Sequence, residues 1–238
     1  MPLRDHFRGW LYRELQWHPF HSAWATFLAT AVNARLPEGF RALPNVQTSI
    51  EIDVAAFGNL RSPVPESTTN DPAEWQPSGG TLTIPFEFGE QATEILVHGS
   101  RDGRYLAGAI ELVSEGNKDR PDAREAFVSK CETYLHRGVG LVIVDMVTTR
   151  SANLHDELMA RIGPPERVVW GAPLYVTAYR PTGKNGSAQL TVWEEPLALG
   201  APLPTVPLWL LHGPYVPVLL EATYEDTFRQ LRLPTSEP

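Results

Sequence analysis

An α/β fold of the mixed, α+β kind is predicted from three features of the sequence. The first is Tyr105–Asp145, where an apolar run broken by Glu111 leads through a polar turn and an amphipathic helix to a second apolar run ending in Asp145. Strand, turn, helix and strand in that order form a βαβ-type unit, and a crossover of this size favours parallel strands with the helix laid across one face. The second is a hairpin signal, PLYVTAYRP and SAQLTVWEE on either side of Thr182-Gly183-Lys184-Asn185-Gly186. The third is the spacing of Phe20, Trp24, Phe27, Leu28 and Ala31, the apolar face of a helix from about Phe20 to Arg35 that Leu36-Pro37-Glu38-Gly39 stops.

Taken in order, residues 1–18 read as a loose or short helical arm, with Phe7, Trp10, Tyr12 and Trp17 available to pack on the domain. His18 and His21 have a spacing that permits shared metal binding, but no third ligand is evident nearby, and packing or capping is the preferred role. Residues 40–57 predict one long strand or two short ones with a break near Pro44, since Val46, Thr48, Ile50, Ile52 and Val54 alternate. Residues 58–80 are rich in Pro, Ser, Thr, Asn and Gly and read as a long mobile loop. LTIPFEF and ATEILVHGS are predicted strands around Gly89-Glu90, and Arg101-Asp102-Gly103 is a tight turn into the Glu111 strand. His98 reads as a satisfied sheet histidine.

The helix of the central unit is placed from about Pro121 to about Arg137, with Gly138 at its end and Ala123, Phe127, Cys131 and Tyr134 as its buried stripe. Lys130 falls at the edge of that stripe, so its stem can run along the sheet and bring the ammonium near the end of the Glu111 strand. Beyond Asp145, which reads as a structural strand end, TTRSANLHDELMARIG is a polar loop with a short helix. Residues 196–217 are apolar and proline-rich, which predicts extended chain that cannot sit centrally in a sheet. A last helix starts at about Val218, and residues 234–238 form a disordered tail.

The whole-chain properties narrow the reading. A chain of 238 residues can bury a sizeable core, and a single domain over 1–238 is expected. No run is long enough to span a membrane, and the charged N-terminal segment lacks an apolar core of the secretory kind. One cysteine cannot form an internal disulfide, which fits the cytoplasm. Cys131 lies on the apolar stripe and reads as a buried, inert thiol. A net charge of −8 argues against a surface that coats nucleic acid broadly. Residues 100–137 hold seven basic and seven acidic side chains, so that segment is neutral and can still admit a polyanion. No Gly-rich phosphate loop, dinucleotide fingerprint or CxxC pair is present.

Two carboxylates stand out. Glu111 sits between Ile110 and Leu112 in an otherwise buried strand, where a charge is costly unless something pairs with it, and a metal is one such partner. Asp53 introduces the apolar run Val54-Ala55-Ala56-Phe57, and a strand-end aspartate facing water is the equally weighted alternative.

WHPFHSAWATFLATAVNARLPEGFRA, IELVSEGNKDRPDAREAFVSKCETYLHRGVGLVIVD and PLPTVPLWLLHGPYVPVLLEATYEDTF resemble the bacterial domain of unknown function 4058 family over most of the chain. The middle block, with its Ile-Glu strand, Asn-Lys turn and helix lysine, is the most specific part. That family looks like a branch of the restriction-endonuclease-like, PD-(D/E)XK group, and the resemblance implies a mixed sheet core flanked by helices. Asp53 would be the first catalytic carboxylate and Glu111 the second, both holding Mg²⁺ or Mn²⁺. Val113 stands where the group's lysine belongs. Lys130 would then be a lysine relocated to the helix, and Lys118 in the turn is its rival. Ser114, Asn117 and Arg120 would shape the substrate rim. The implied activity is metal-dependent hydrolysis of nucleic-acid phosphodiester bonds, with a homodimer expected by analogy. The missing strand lysine leaves a second expectation: a catalytically inactive scaffold serving a protein partner through its acidic surface and aromatic arm.

Overall fold

The computed structural model describes residues 1–47, 51–59, 75–88, 104–184 and 187–234. The predicted strand carrying His98, the Arg101-Asp102-Gly103 turn, Asn185-Gly186, most of the 58–80 loop and residues 235–238 lie outside them. The chain is a mixed α/β structure. In order come α1 (Gly9–Glu14), α2 (Trp17–Asn33), β1 (Arg41–Gln47), β2 (Glu51–Asn59), β3 (Leu82–Phe86), β4 (Arg104–Leu112), α3 (Glu115–Asp119), α4 (Pro121–His136) and β5 (Gly140–Asp145). There follow α5 (Leu154–Ile162), β6 (Tyr175–Lys184), β7 (Ser187–Pro196), β8 (Thr205–Trp209), β9 (Tyr215–Leu219) and α6 (Leu220–Gln230). Among the described residues no helix is long and apolar enough to cross a membrane.

Seven strands form one mixed sheet in the order β1-β2-β4-β5-β6-β7-β3. β4 and β5 run parallel, Gly108 opposite Gly140 and Leu112 opposite Val144, and the other described pairings are antiparallel. The predicted βαβ unit is therefore the middle of the sheet. β5 is buried along its whole length, which explains why its sequence shows no apolar–polar alternation. α4 is the crossover helix: Pro121 occupies its first turn, and Gly138 takes a positive φ of 78° just beyond its end. Phe127, Val128, Cys131, Tyr134 and Leu135 are its buried face, whereas Ala123 is only half-buried.

Side chains that differ by an odd number of positions in a strand point to opposite faces. A Cβ added to Gly108 would meet Leu208, and one added to Gly140 would meet the carbonyl of Trp209, so these glycines face the β8–β9 hairpin. Glu111 consequently faces the other side, where α4 lies with α5 beside it. α2 packs against β1, β2, β9 and α6. Phe20, Trp24, Tyr224 and Phe228 interlock there with ring centroids 5.0–6.1 Å apart.

Three expectations are corrected. The first long helix begins at Trp17 rather than Phe20, and Ala25, Ala29 and Val32 are buried where Phe27 and Ala31 are only half-buried. Pro44 does not break a strand; it sits inside β1, an edge strand, where a residue without an N–H is tolerated. β3 lies at the far edge, paired with β7. The 196–217 segment stays out of the seven-stranded sheet as expected, yet it is not merely extended: β8 and β9 form an antiparallel hairpin of their own. Pro207 and Pro217 face each other in that hairpin, so two missing N–H groups fall at one pair that needs none.

Candidate active site

The antiparallel register places Val54 opposite Ile110, so Asp53 falls opposite Glu111 one step along. Both are buried, at 7% and 2% exposure. This removes the alternative in which Asp53 faces water. The Leu112 N–H donates to Asp53 Oδ2 at 2.7 Å, which ties the first carboxylate to the end of β4. Lys130 reaches from α4, and its Nζ donates to Glu111 Oε2 at 2.8 Å. The spacing that put Lys130 at the edge of the buried stripe thus brings it to the carboxylate, with its side chain 15% exposed.

The third arrival is His21. Its Nε2 lies 3.2 Å from Asp53 Oδ1 and 3.1 Å from the Leu112 carbonyl oxygen. The histidine expected to pack or cap thus hydrogen-bonds a backbone carbonyl while also facing a predicted site carboxylate. Trp17, His18, His21, Asp53, Glu111, Leu112, Ser114, Asn117 and Lys130 line a cleft of about 200 Å³.

Burial pushes the Glu111 carboxyl up to about 8, with the Asp53 charge adding to the rise and Lys130 opposing it. Burial also acts on Lys130, but the Glu111 charge outweighs it and raises the ammonium. Burial lowers His21, and the bond and charge of Asp53 more than reverse that, so the imidazole is raised overall. Glu111 Oε1 is buried. Burial raises the Tyr134 hydroxyl, and the Glu111 carboxylate beside it raises it further through its charge and a side-chain hydrogen bond.

Ser114 and Asn117 stand at the rim and cap α3. The Ser114 side chain accepts from the Asn117 N–H, and Asn117 Oδ1 accepts from the Ser114 N–H at 2.8 Å. Lys118 is not brought to the cleft. It is fully buried against Asp145 at 2.8 Å, with side-chain exposures of 1% and 0%. Arg120 is exposed at the start of α4, 3.8 Å from Asp122, and does not line the cleft. Asp145 has the structural place expected for it, accepting also from the Val147 N–H. Cys131 is buried, with its thiol raised well above the usual range by burial.

Among the described residues no three His, Cys, Asp or Glu side chains form a ready metal cage. Comparison of the chain with protein-family models, with curated proteins and with solved structures found no match.

Proposed function

We propose that the protein is a metal-dependent phosphodiesterase acting on nucleic acid, a restriction-endonuclease-like branch of the kind its resemblance to the domain of unknown function 4058 family implies. The observation that carries this reading is the meeting of Asp53 on β2, Glu111 on β4 and Lys130 on α4 in one cleft. The order helix, hairpin, strand, crossover helix, parallel strand supports it as well.

The donor set fits Mg²⁺ or Mn²⁺. Both are hard cations that favour carboxylate oxygens, and the Asp53 and Glu111 carboxylates line the same cleft. Asp53 and Glu111 would hold the ion. When bound, it supplies Lewis acidity that polarises the phosphoryl oxygen and lowers the pKa of water. Asp53 is held in place by Leu112 N–H, so it meets a substrate without reorganising. Lys130, released from Glu111 Oε2, carries its charge toward the scissile phosphate and orients the attacking water. Ser114 and Asn117 offer polar groups at the rim.

A second reading keeps the same fold as a scaffold without catalysis. The absence of a ready three-ligand cage among the described residues favours it. Of its aromatic arm, Phe7 and Trp17 are buried in the chain's own core, which leaves the exposed Tyr12 and half-buried Trp10 for a partner. Calorimetric titration of Mn²⁺ into wild type and Glu111→Ala decides between them, with circular dichroism confirming the mutant's fold. Binding lost in a folded Glu111→Ala chain, and oligonucleotide cleavage lost in Lys130→Ala, support the enzyme. A wild type that binds no Mn²⁺ even with oligonucleotide present leaves the scaffold.

A further inference from the structure

We infer that the sheet carries a second binding site, centred on Arg180 on the face away from the Asp53–Glu111 cleft, and that it takes a nucleotide, with the phosphate on the edge of the guanidinium and the base on its plane. The site stands or falls without the phosphodiesterase reading, because no cleft residue takes part in it. Arg180 lies on β6 two positions from Ala178, and Ala178 pairs with Trp193 on β7. Residues two apart in a strand share a face, and so do residues directly opposite across a pair. Trp193 stacks on Trp209 of the β8–β9 hairpin, with ring centroids 5.9 Å apart and planes 26° apart. Arg180 therefore belongs to the hairpin face of the sheet, whereas Glu111 belongs to the α4 face.

The Arg180 guanidinium carbon sits 3.6 Å from the centre of the Trp209 ring, so Trp193, Trp209 and Arg180 form one stack. Arg180 is half-buried, burial alone lowers its pKa, and no carboxylate pairs with it among the described residues. Its neighbours on this face are neutral: Thr191 lies opposite it on β7, Thr83 lies opposite Thr191 on β3, and Gln189 is two positions from Thr191. The next carboxylate on this face of β7 is Glu195, four positions from Thr191 and about 13 Å along the strand. The Trp209 indole N–H is buried and has no acceptor among the described residues. A partly desolvated cation among donors is costly, and an incoming oxyanion offsets that cost. The guanidinium itself narrows the ligand. Its edge is a planar fork of N–H donors that matches two phosphate oxygens. Trp209 covers one face of its plane, and no second described ring lies on the other. Bases stack on arginine planes as they do on aromatic rings. A phosphate joined to a planar base uses both edge and plane, whereas a sugar phosphate uses only the edge and a nucleoside only the plane.

The test is calorimetric titration of AMP, ribose phosphate and adenosine into the full chain, with a chelator present so that metal at the cleft plays no part. AMP should bind the wild type, and ribose phosphate and adenosine should each bind about tenfold more weakly. Arg180→Ala should lose AMP binding, and Arg180→Lys, which keeps the charge without the fork, should weaken it about tenfold. Glu111→Gln should bind AMP as the wild type does. A wild type that binds no AMP overturns the inference. So does ribose phosphate or adenosine that binds as tightly as AMP, and so does AMP binding that survives Arg180→Ala or is lost in Glu111→Gln. If the Arg180 variants do not fold, azido-AMP photocrosslinked to the wild type decides: label on Trp209 or the strands around Arg180 supports the site, and label only on other elements overturns it.

Discussion

Two lysines in this protein sit 2.8 Å from carboxylates, and their surroundings give them opposite consequences. Lys118 and Asp145 are sealed from water, so removing one leaves the other charge buried and alone. Lys118→Ala should cost about 3–5 kcal/mol, read as a lower urea midpoint. Lys130 opens onto the cleft, so Lys130→Ala should cost less stability than Lys118→Ala and, on the proposed phosphodiesterase reading, should lose oligonucleotide cleavage. The Glu111 carboxyl makes a further prediction. Its folded-state pKa is raised to about 8 from 4.5, so the unfolded chain releases this proton at lower pH than the fold does. The contribution is full below pH 4.5 and is lost as pH rises through 8. Glu111→Gln should flatten that decline in urea unfolding measured from pH 5 to 8, while abolishing Mn²⁺ binding. Glu111 and Lys130 were legible because a carboxylate in an apolar strand and a lysine at a stripe's edge are local anomalies. His21 was not, because its meaning comes from Leu112, 91 residues away. Lys118 offered no local sign that Asp145 buries it.

At the scale of elements, close approach governs the layers. A Cβ at position 140 would lie 1.9 Å from the Trp209 carbonyl oxygen, in the backbone of the β8–β9 hairpin rather than in a flexible side chain. Gly140→Ala should push the hairpin off the sheet and lower stability by about 1–3 kcal/mol, visible as a lower Tm and increased amide exchange in β8. Ser114→Ala removes the cap of α3 and should cost about 1 kcal/mol. Because Asn117 shares that cap and the cleft rim, the same change should, on the proposed reading, also weaken oligonucleotide binding. The central βαβ unit was legible from periodicity alone, since its connections are short. The pairing of β3 with β7 was not, because Ile84 and Leu190 carry no local trace of each other. Prolines concealed the β8–β9 hairpin. Their penalty in a strand depends on which position faces which, and only the register reveals that Pro207 opposes Pro217.

At the scale of the whole molecule, the N-terminal arm is tied to the segment before β8 and to the last helix. Leu3 N–H donates to the Ala201 carbonyl, Gly200 N–H donates to the Leu3 carbonyl, and His6 Nε2 lies 2.7 Å from the Tyr224 hydroxyl. His6 is buried among Trp17, Phe20 and Phe228, and burial lowers its pKa from 6.5 to about 3. The unfolded chain takes up a proton below 6.5 that the fold refuses until about 3. Stability is therefore full above pH 6.5 and falls as pH drops toward 3, by up to about 4–5 kcal/mol. Chemical denaturation at pH 7 and pH 4 measures the loss, and His6→Gln should reduce the difference.

This clasp also sets an order of events during synthesis. Trp24 waits for Thr223, 199 residues later, before its indole N–H has a partner, and Phe20 stays uncovered until Tyr224 and Phe228 arrive. Until α6 is made, the helix that carries His21 has only its strand partners β1, β2 and β9 to pack against.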